Sequence, residues 1–264
     1  MLAIKVDLPR SLQYAEIHTL SDLHLGDRYC NYKELLDRVK EIEQNPNAYV
    51  ILNGDLINNA TTQSVSDTYA ETISPMEQLK QAKALFEPIK HKILAITSGN
   101  HEARTYRADG IDLTEILARE LGLVDRYAPE SVTIFLRLGQ MANGTKIAGK
   151  NARRQVCYMI FATHGSGGGR REGGKINRLV DLASIVDVDI YIHSHTHLPA
   201  ILKQGYFRAD AKNSTVAAVD KLFVNTNAWL KYGGYGEAQG YKPASNKAPV
   251  IYLSGSRKEF TAKL

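Results

Sequence analysis

Three apolar segments in the first hundred residues each end on a polar side chain: AEIHTLSD (15–22), AYVILNGD (48–55) and KILAITSGN (92–100). Short apolar runs of this kind read as buried strands. Between them lie two stretches with helical spacing. In 31–44, Tyr32, Leu35, Leu36, Val39 and Ile42 repeat on one face, and SPMEQLKQAKALFEPIK (74–90) follows the same rule. Asn31 with Glu34, and Ser74 with Pro75 and Glu77, carry the signature of a capping box. His18, inside the first strand, reads as a packing residue, and His91 as a solvated residue at a helix end. Strand–helix–strand–helix–strand is the order of an α/β fold. Parallel strands bring their carboxyl ends to one edge, which is where such folds place their sites.

The second half keeps strands but loses the strict alternation. DLTEILARELGL (112–123) and INRLVDLASIV (176–186) read as helices, and VTIFLRLG (132–139), QVCYMIFATHG (155–165), VDIYIHS (188–194), KLFVNTNAWL (221–230) and APVIYLSG (248–255) as strands. A polar connection, QMANGTKIAGKNARR (140–154), joins the first two of these strands. There is no repeat and no long linker, so residues 1–264 are expected to form one domain. Polar strand ends occupy 22–197; further strands and a Tyr/Gly-rich loop fill 198–264. No apolar run approaches the roughly 20 residues of a membrane helix. Asp7 and Pro9 interrupt the apolar start, which does not read as a signal peptide. Cys30 and Cys157 form no CxxC pair and are taken as structural or incidental, and a reducing cytoplasm is the expected compartment. The net charge of +5 favours an acidic partner such as nucleic acid or another phosphate ester.

The strand ends carry the chemistry. They read SDLHLG with Asp22 and His24, NGDLINN with Asp55, SGNHE with Asn100, His101 and Glu102, ATHG with His164, and HSHTH with His193, His195 and His197. Asp22, Asp55 and Asn100 offer hard oxygens, while His24, His164, His195 and His197 offer imidazoles. That mixed set suits Mn, Fe or Zn better than an all-oxygen Ca or Mg site. Two cations about 4 Å apart need a bridging carboxylate and can clamp an in-line phosphoryl displacement, with a shared hydroxide as nucleophile. Glu102 is expected to hold neighbouring loop groups rather than a metal.

The set DLH, GD, GNHE, HG and HTH, spread over 22–197, resembles the calcineurin-like metallophosphoesterase superfamily. The resemblance implies a four-layer α/β/β/α sandwich of two mixed sheets around a binuclear metal centre. It implies that Asp22, His24 and His197 hold one ion, that Asn100, His164 and His195 hold the other, that Asp55 bridges, and that His101 protonates the leaving group. Two departures stand out. Ser194 replaces the glycine of the usual Gly-His-x-His ending, which opens a second register with His193 and His195 as ligands; HTHLP matches the family ending and favours His195 and His197. Asn58 stands where an acidic residue often follows the second motif, and an Asn there can orient His101 but supports its cation less well.

The substrate is read from two loops. HGSGGGRREGGK (164–175) offers Gly167, Gly168 and Gly169 for close backbone approach, and Arg170, Arg171 and Lys175 for phosphate; solvated surface charge explains the same residues as well. WLKYGGYGEAQGYKP (229–243) carries Tyr232, Tyr235 and Tyr241, which could stack on bases or pack against the sandwich. The expected activity is a phosphodiesterase acting on nucleic acid or nucleotides. The alternatives are a phosphomonoesterase, including a protein phosphatase, and a non-catalytic metal-binding scaffold. GDLINNA does not meet the GDxxDRG of the protein phosphatases, and the complete ligand set argues against a dead site. The oligomeric state is left open.

Overall fold

The computed structural model of the chain describes residues 2–62, 64, 68–143 and 153–264, apart from the side chain of Tyr235. Most of the 140–154 connection therefore lies outside the described residues. In chain order the elements are β1 (Leu2–Asp7), β2 (Tyr14–Leu20), α1 (Tyr32–Gln44), β3 (Ala48–Asn53), α2 (Pro75–Phe86), β4 (Ile93–Thr97), α3 (Ala103–Asp109) and α4 (Leu113–Leu121). They continue with β5 (Tyr127–Ala128), β6 (Ser131–Leu138), β7 (Val156–Thr163), α5 (Glu172–Asp181), β8 (Ile190–His193), β9 (Ala200–Asp210), β10 (Thr215–Asn225), α6 (Gly234–Ala238), β11 (Val250–Ser254) and β12 (Phe260–Lys263).

Two six-stranded mixed sheets form, ordered β1-β6-β7-β8-β10-β9 and β12-β11-β2-β3-β4-β5. In the second, β2, β3, β4 and β5 run parallel; in the first, β7, β8 and β10 do. The period-2 alternation of a strand sends successive side chains to opposite faces. Along β3, Ile51 enters the layer between the sheets, while Val50 and Leu52 turn to the helices. The inter-sheet layer joins Ile17, Ile51 and Leu94 to Ile134, Ile160 and Ile192. On one outer face, Leu35, Leu79 and Leu117 of α1, α2 and α4 cover the second sheet. On the other, Leu179 of α5 packs on Phe161, Tyr191 and Phe223. The expected α/β/β/α layering is what these three cores build. No helix among the described residues is long and apolar enough to cross a membrane.

Several local expectations need correction. The Ser74–Glu77 capping box is present on α2, but Asn31 makes no side-chain cap on α1. Asn31 is instead buried, with its backbone N–H donated to the Trp229 carbonyl at 2.7 Å. Helix α5 starts at Glu172, four residues before the apolar pattern, so Arg171 becomes its N-cap residue. β1, β9, the first half of β10 and β12 have no counterpart in the sequence reading, whereas the strand read at 221–230 matches the end of β10. In β1 the signal was there, because Ile4 and Val6 are buried and Lys5 and Asp7 exposed.

Candidate metal centre

Each of the five polar strand ends leaves its strand through a sharp turn, and the turns meet at one edge of the sandwich. Among the described residues, seven non-glycine positions have positive φ, and five of them are Asp22, His24, Asp55, His195 and His197. A left-handed residue at a strand end turns the side chain away from the sheet face and toward the edge. Such backbone is uncommon for L-residues and persists where the surroundings hold it.

Here the surroundings are dense. Glu102 accepts from the backbone N–H groups of Asp55 (3.1 Å), Leu56 (2.5 Å), Ile57 (3.1 Å) and Gly99 (2.9 Å), tying the ends of β3 and β4 together. A Cβ on Gly99 would fall 2.2 Å from Asp55 Oδ1, so no other residue fits there. Asp55 Oδ1 accepts from the backbone of His101 at 2.9 Å. Across the sandwich, Asn53 donates to the Thr163 carbonyl at 2.8 Å and to Ser194 Oγ at 2.7 Å, and His164 Nδ1 sits 2.8 Å from the Asn53 carbonyl. Ser194, the departure from the family ending, is thus a buried acceptor that joins the two sheets.

Three groups of metal-competent donors result, each with its atoms within 4.8 Å: Asp22, His24 and His197; His24, Asp55 and His101; Asp55, His164 and His195. Asp22 Oδ2 accepts from the backbone of His195 at 3.2 Å, leaving Oδ1 to face His197 Nε2 at 3.1 Å. His24 and His197 approach Nε2 to Nε2 at 3.4 Å. His164 Nε2 lies 3.2 Å from both Asp55 Oδ2 and Asn100 Oδ1. His193 is not among these groups. It is buried, its Nδ1 is 2.8 Å from Asn225 Oδ1, and its ring lies where a Cβ on Gly165 would be. Of the two registers, the structure brings His195 and His197 to the cluster and packs His193 into the core.

Electrostatics fits a cation. Burial holds His24 down to about 3 and His195 to about 4, so both are neutral imidazoles, the form that ligates metal. Burial would also lower His164, but the Asp55 carboxylate beside it prevails and pushes it up to about 10. Asp22 is held down to about 2, because His197 and His164 outweigh the burial that would raise it. A proton between His164 and Asp55, and two imidazole tips pointing at each other, mark places a divalent ion can take over. The donor set present therefore fits a mixed N/O metal centre.

His101 stands at the rim. Its Nδ1 is 2.7 Å from the Asn58 backbone carbonyl, and its Nε2 is 3.8 Å from Asp55 Oδ2. The Asn58 side chain does not orient it; that amide donates to Glu71 at 2.5 Å. Arg170 and Arg171 are exposed on the loop leading into α5. Lys175 is committed elsewhere, donating to the Thr196 carbonyl at 2.8 Å and so bracing the turn between His195 and His197. Gly167 is approached by the Arg178 guanidinium of α5 rather than left open. Tyr232 donates to the Tyr241 carbonyl at 3.0 Å, and Lys242 pairs with Glu172 at 2.6 Å, so the 164–175 and 229–243 segments touch. Asn53 and Asn225 escaped the sequence reading, as did the bridging role of Ser194; their only signal is a polar residue at the last position of an apolar strand or just beyond it.

The family model for the calcineurin-like phosphoesterases matches residues 16–199. No curated protein sequence matches the chain. Among solved structures, a predicted phosphoesterase from Streptococcus pneumoniae TIGR4 is 15% identical, with 96% of this chain and 89% of that chain covered and a TM-score of 0.36. Zinc-complexed Vps29 from Entamoeba histolytica is 15% identical over 94% and 89%, with a TM-score of 0.39. GAP50 of Plasmodium, an anchor in the inner membrane complex, is 10% identical over 95% and 84%, with a TM-score of 0.44. Identity this low and superposition this loose carry nothing over to this chain.

Proposed function

The chain belongs to the calcineurin-like phosphoesterase family, and from that footing we propose that it is a binuclear-metal phosphodiesterase acting on nucleic acid or nucleotides. The observation that supports this most is Asp55, whose carboxylate takes part in two donor groups at once, one with His24 and His101 and one with His164 and His195. Asp22, His24 and His197 would hold one cation, Asn100, His164 and His195 the other, and Asp55 both. Mn, Fe and Zn suit these donors, with Mn the first to test. Two such cations, when bound, supply Lewis-acid stabilisation of phosphoryl charge and a nucleophile at neutral pH.

The chain's own groups do the rest. The Asn58 carbonyl accepts from His101 Nδ1, which leaves Nε2 as the atom that faces Asp55; it would take a proton from solvent and then deliver it to the leaving oxygen. Glu102 holds the Asp55 loop rigid, so the shared carboxylate does not drift between substrates. Arg170 and Arg171, exposed on the loop between His164 and α5, would extend phosphate recognition outward along a chain. Cys30 and Cys157 are both free, which fits a reducing cytoplasm as the compartment.

Elemental analysis after Mn loading tests the centre: two ions per chain are expected, and a single ion in a folded protein overturns the binuclear reading. Activity against nitrophenyl mono- and diesters, cyclic nucleotides and single- and double-stranded DNA tests the rest. Preference for diesters is expected. Preference for monoesters makes the protein a phosphomonoesterase, and turnover of none makes it a metal-binding scaffold.

A further inference from the structure

Arg104 lies in the first turn of α3, beside His101, with no carboxylate within 4.0 Å among the described residues. Its Nη1 donates to two backbone carbonyls, Asn58 at 3.1 Å and Asn59 at 3.3 Å. Its Nη2 is 3.0 Å from His101 Nε2. The anchoring loop is itself fixed. The Asn59 amide donates to the His101 carbonyl at 2.8 Å and to Thr105 Oγ1 at 2.9 Å, and its backbone N–H reaches Gln78 at 2.9 Å.

The hydrogen-bond roles follow from donor chemistry. A carbonyl only accepts, so His101 Nδ1 carries the proton that Asn58 receives. A guanidinium only donates, so Nε2 is the acceptor for Arg104. A neutral ring nitrogen is a weak acceptor for a permanent cation, and a phosphate oxygen is a much stronger one. The guanidinium is held on neutral carbonyls, so its charge is not cancelled by a neighbouring carboxylate in direct contact. One donor edge is pinned and the other points to the place where the reacting phosphate of a phosphoesterase must sit, next to His101 and Asp55.

We propose that Arg104 is a phosphate-binding residue of this site, its Nη2 passing from His101 Nε2 to a non-bridging oxygen of the scissile phosphate while Nη1 stays on Asn58 and Asn59. This rests on the phosphoesterase reading above and deepens it. The same movement frees His101 Nε2 for the leaving oxygen, since that nitrogen cannot face an Arg104 N–H and a proton of its own together. The contact is to the reacting phosphate, so it serves every ester alike. That separates it from His101, whose contribution depends on the leaving group, and from Arg170 and Arg171, whose contribution depends on chain length.

The test uses the Mn-loaded protein, with inorganic phosphate as probe ligand and bis(4-nitrophenyl) phosphate as probe substrate. Arg104→Met should weaken phosphate binding by about 10- to 100-fold, the loss of one charge-assisted hydrogen bond, with Mn content unchanged. Arg104→Lys, which keeps the charge and loses the fork, should fall between. Phosphate binding unchanged within about twofold in both variants overturns the proposal. A measurement on the wild type guards against misfolded variants: phenylglyoxal modification of Arg104, mapped by mass spectrometry, should be suppressed by saturating phosphate, and an unaltered rate overturns the proposal. Wild type that binds phosphate through Arg104 yet turns over no ester removes the enzymatic reading and leaves this one standing. Wild type that turns over diesters with Arg104 indifferent does the reverse.

Discussion

Left-handed backbone costs a non-glycine residue about 1–2 kcal/mol, and Asp22, His24, Asp55, His195 and His197 all adopt it. The cost has a direct readout at His197, whose side chain is a third exposed. In the metal-free protein, His197→Gly should be more stable than His197→Ala by about 1 kcal/mol in urea melts; equal stabilities would mean that φ of 54° carries no strain. His101→Ala should keep both metals and lose about 10²–10⁴-fold in rate, with a smaller loss for nitrophenol leaving groups; metal lost in step with activity would make His101 a ligand. His18, far from the centre in β2, gives a pH prediction. Burial, with Arg38 and Lys92 nearby, lowers its pKa to about 4 from an unfolded value of 6.5. The unfolded chain then binds more protons than the native one between those values, so stability rises with pH there. His18 stabilises nothing extra below pH 4 and contributes up to roughly 3 kcal/mol above 6.5, lost as the pH falls. His18→Leu should flatten that part of the pH–stability curve, and an unchanged slope would contradict it. At this scale the donor residues were readable because metal chemistry restricts them to Asp, Asn and His at strand ends. The roles of Asn53, Ser194 and Asn225 were not, because a buried amide or hydroxyl is defined by a partner more than a hundred residues away in the first two cases, and thirty-two away in the third.

Helix α1 shows how an element can be completed from outside its own sequence. It has no side-chain N-cap, but Lys92 reaches its other end and donates to the carbonyls of Ile42 (2.5 Å), Glu43 (3.0 Å) and Asn45 (2.7 Å). The three ammonium protons meet three carbonyls at the helix C-terminus, where intrahelical partners run out; of these, Asn45 also accepts from the Ala48 backbone N–H at 3.1 Å. Lys92→Met should cost about 1–3 kcal/mol and speed hydrogen exchange in the last turn of α1; retained stability with unchanged exchange would show the cap to be idle. The loop ahead of α5 carries a second element-scale prediction. Replacing Arg170 and Arg171 with alanine should flatten the salt dependence of DNA binding by about one unit per lost phosphate contact, leaving small diesters untouched; an unchanged slope removes the case for nucleic acid. The strand–helix alternation of the first half was legible because its elements bury one continuous face. Of the β9–β10 ribbon only the end of β10 was. The ribbon pairs with β8 over only Leu222 to Asn225, and in its far half Tyr206, Arg208 and Val219 are only half-buried while Phe207 and Val216 are exposed, so little periodic burial is imposed on its sequence. The start of α5 was hidden for a related reason, since EGGK has helical backbone without a buried side chain.

At the scale of the whole molecule, the centre lies across the two sheets. Asp22, His24, Asp55 and Asn100 come from the ends of β2, β3 and β4, while His164, His195 and His197 follow β7 and β8. Cations shared between these sets would cross-link the sandwich. Mn at about 100 times its dissociation constant should add about 2.7 kcal/mol to stability, read as a melting shift that a chelator reverses. Asp55→Asn should remove most of that shift, and a full shift in the variant would show that Asp55 is not shared. The later half of the centre depends on residues later still: Asn225, at the end of β10, meets His193 and donates to Thr196 Oγ1 at 2.8 Å and to the Leu198 carbonyl at 2.6 Å. Ribosomes deliver the chain from its amino end. A nascent polypeptide thus displays Asp22 and Asp55 early, yet lacks the Asn225 contacts to His193, Thr196 and Leu198 until residue 225 has emerged and β10 has docked beside β8. The last hydrogen bonds of this turn are accordingly made late in biosynthesis, by a segment outside the donor groups themselves.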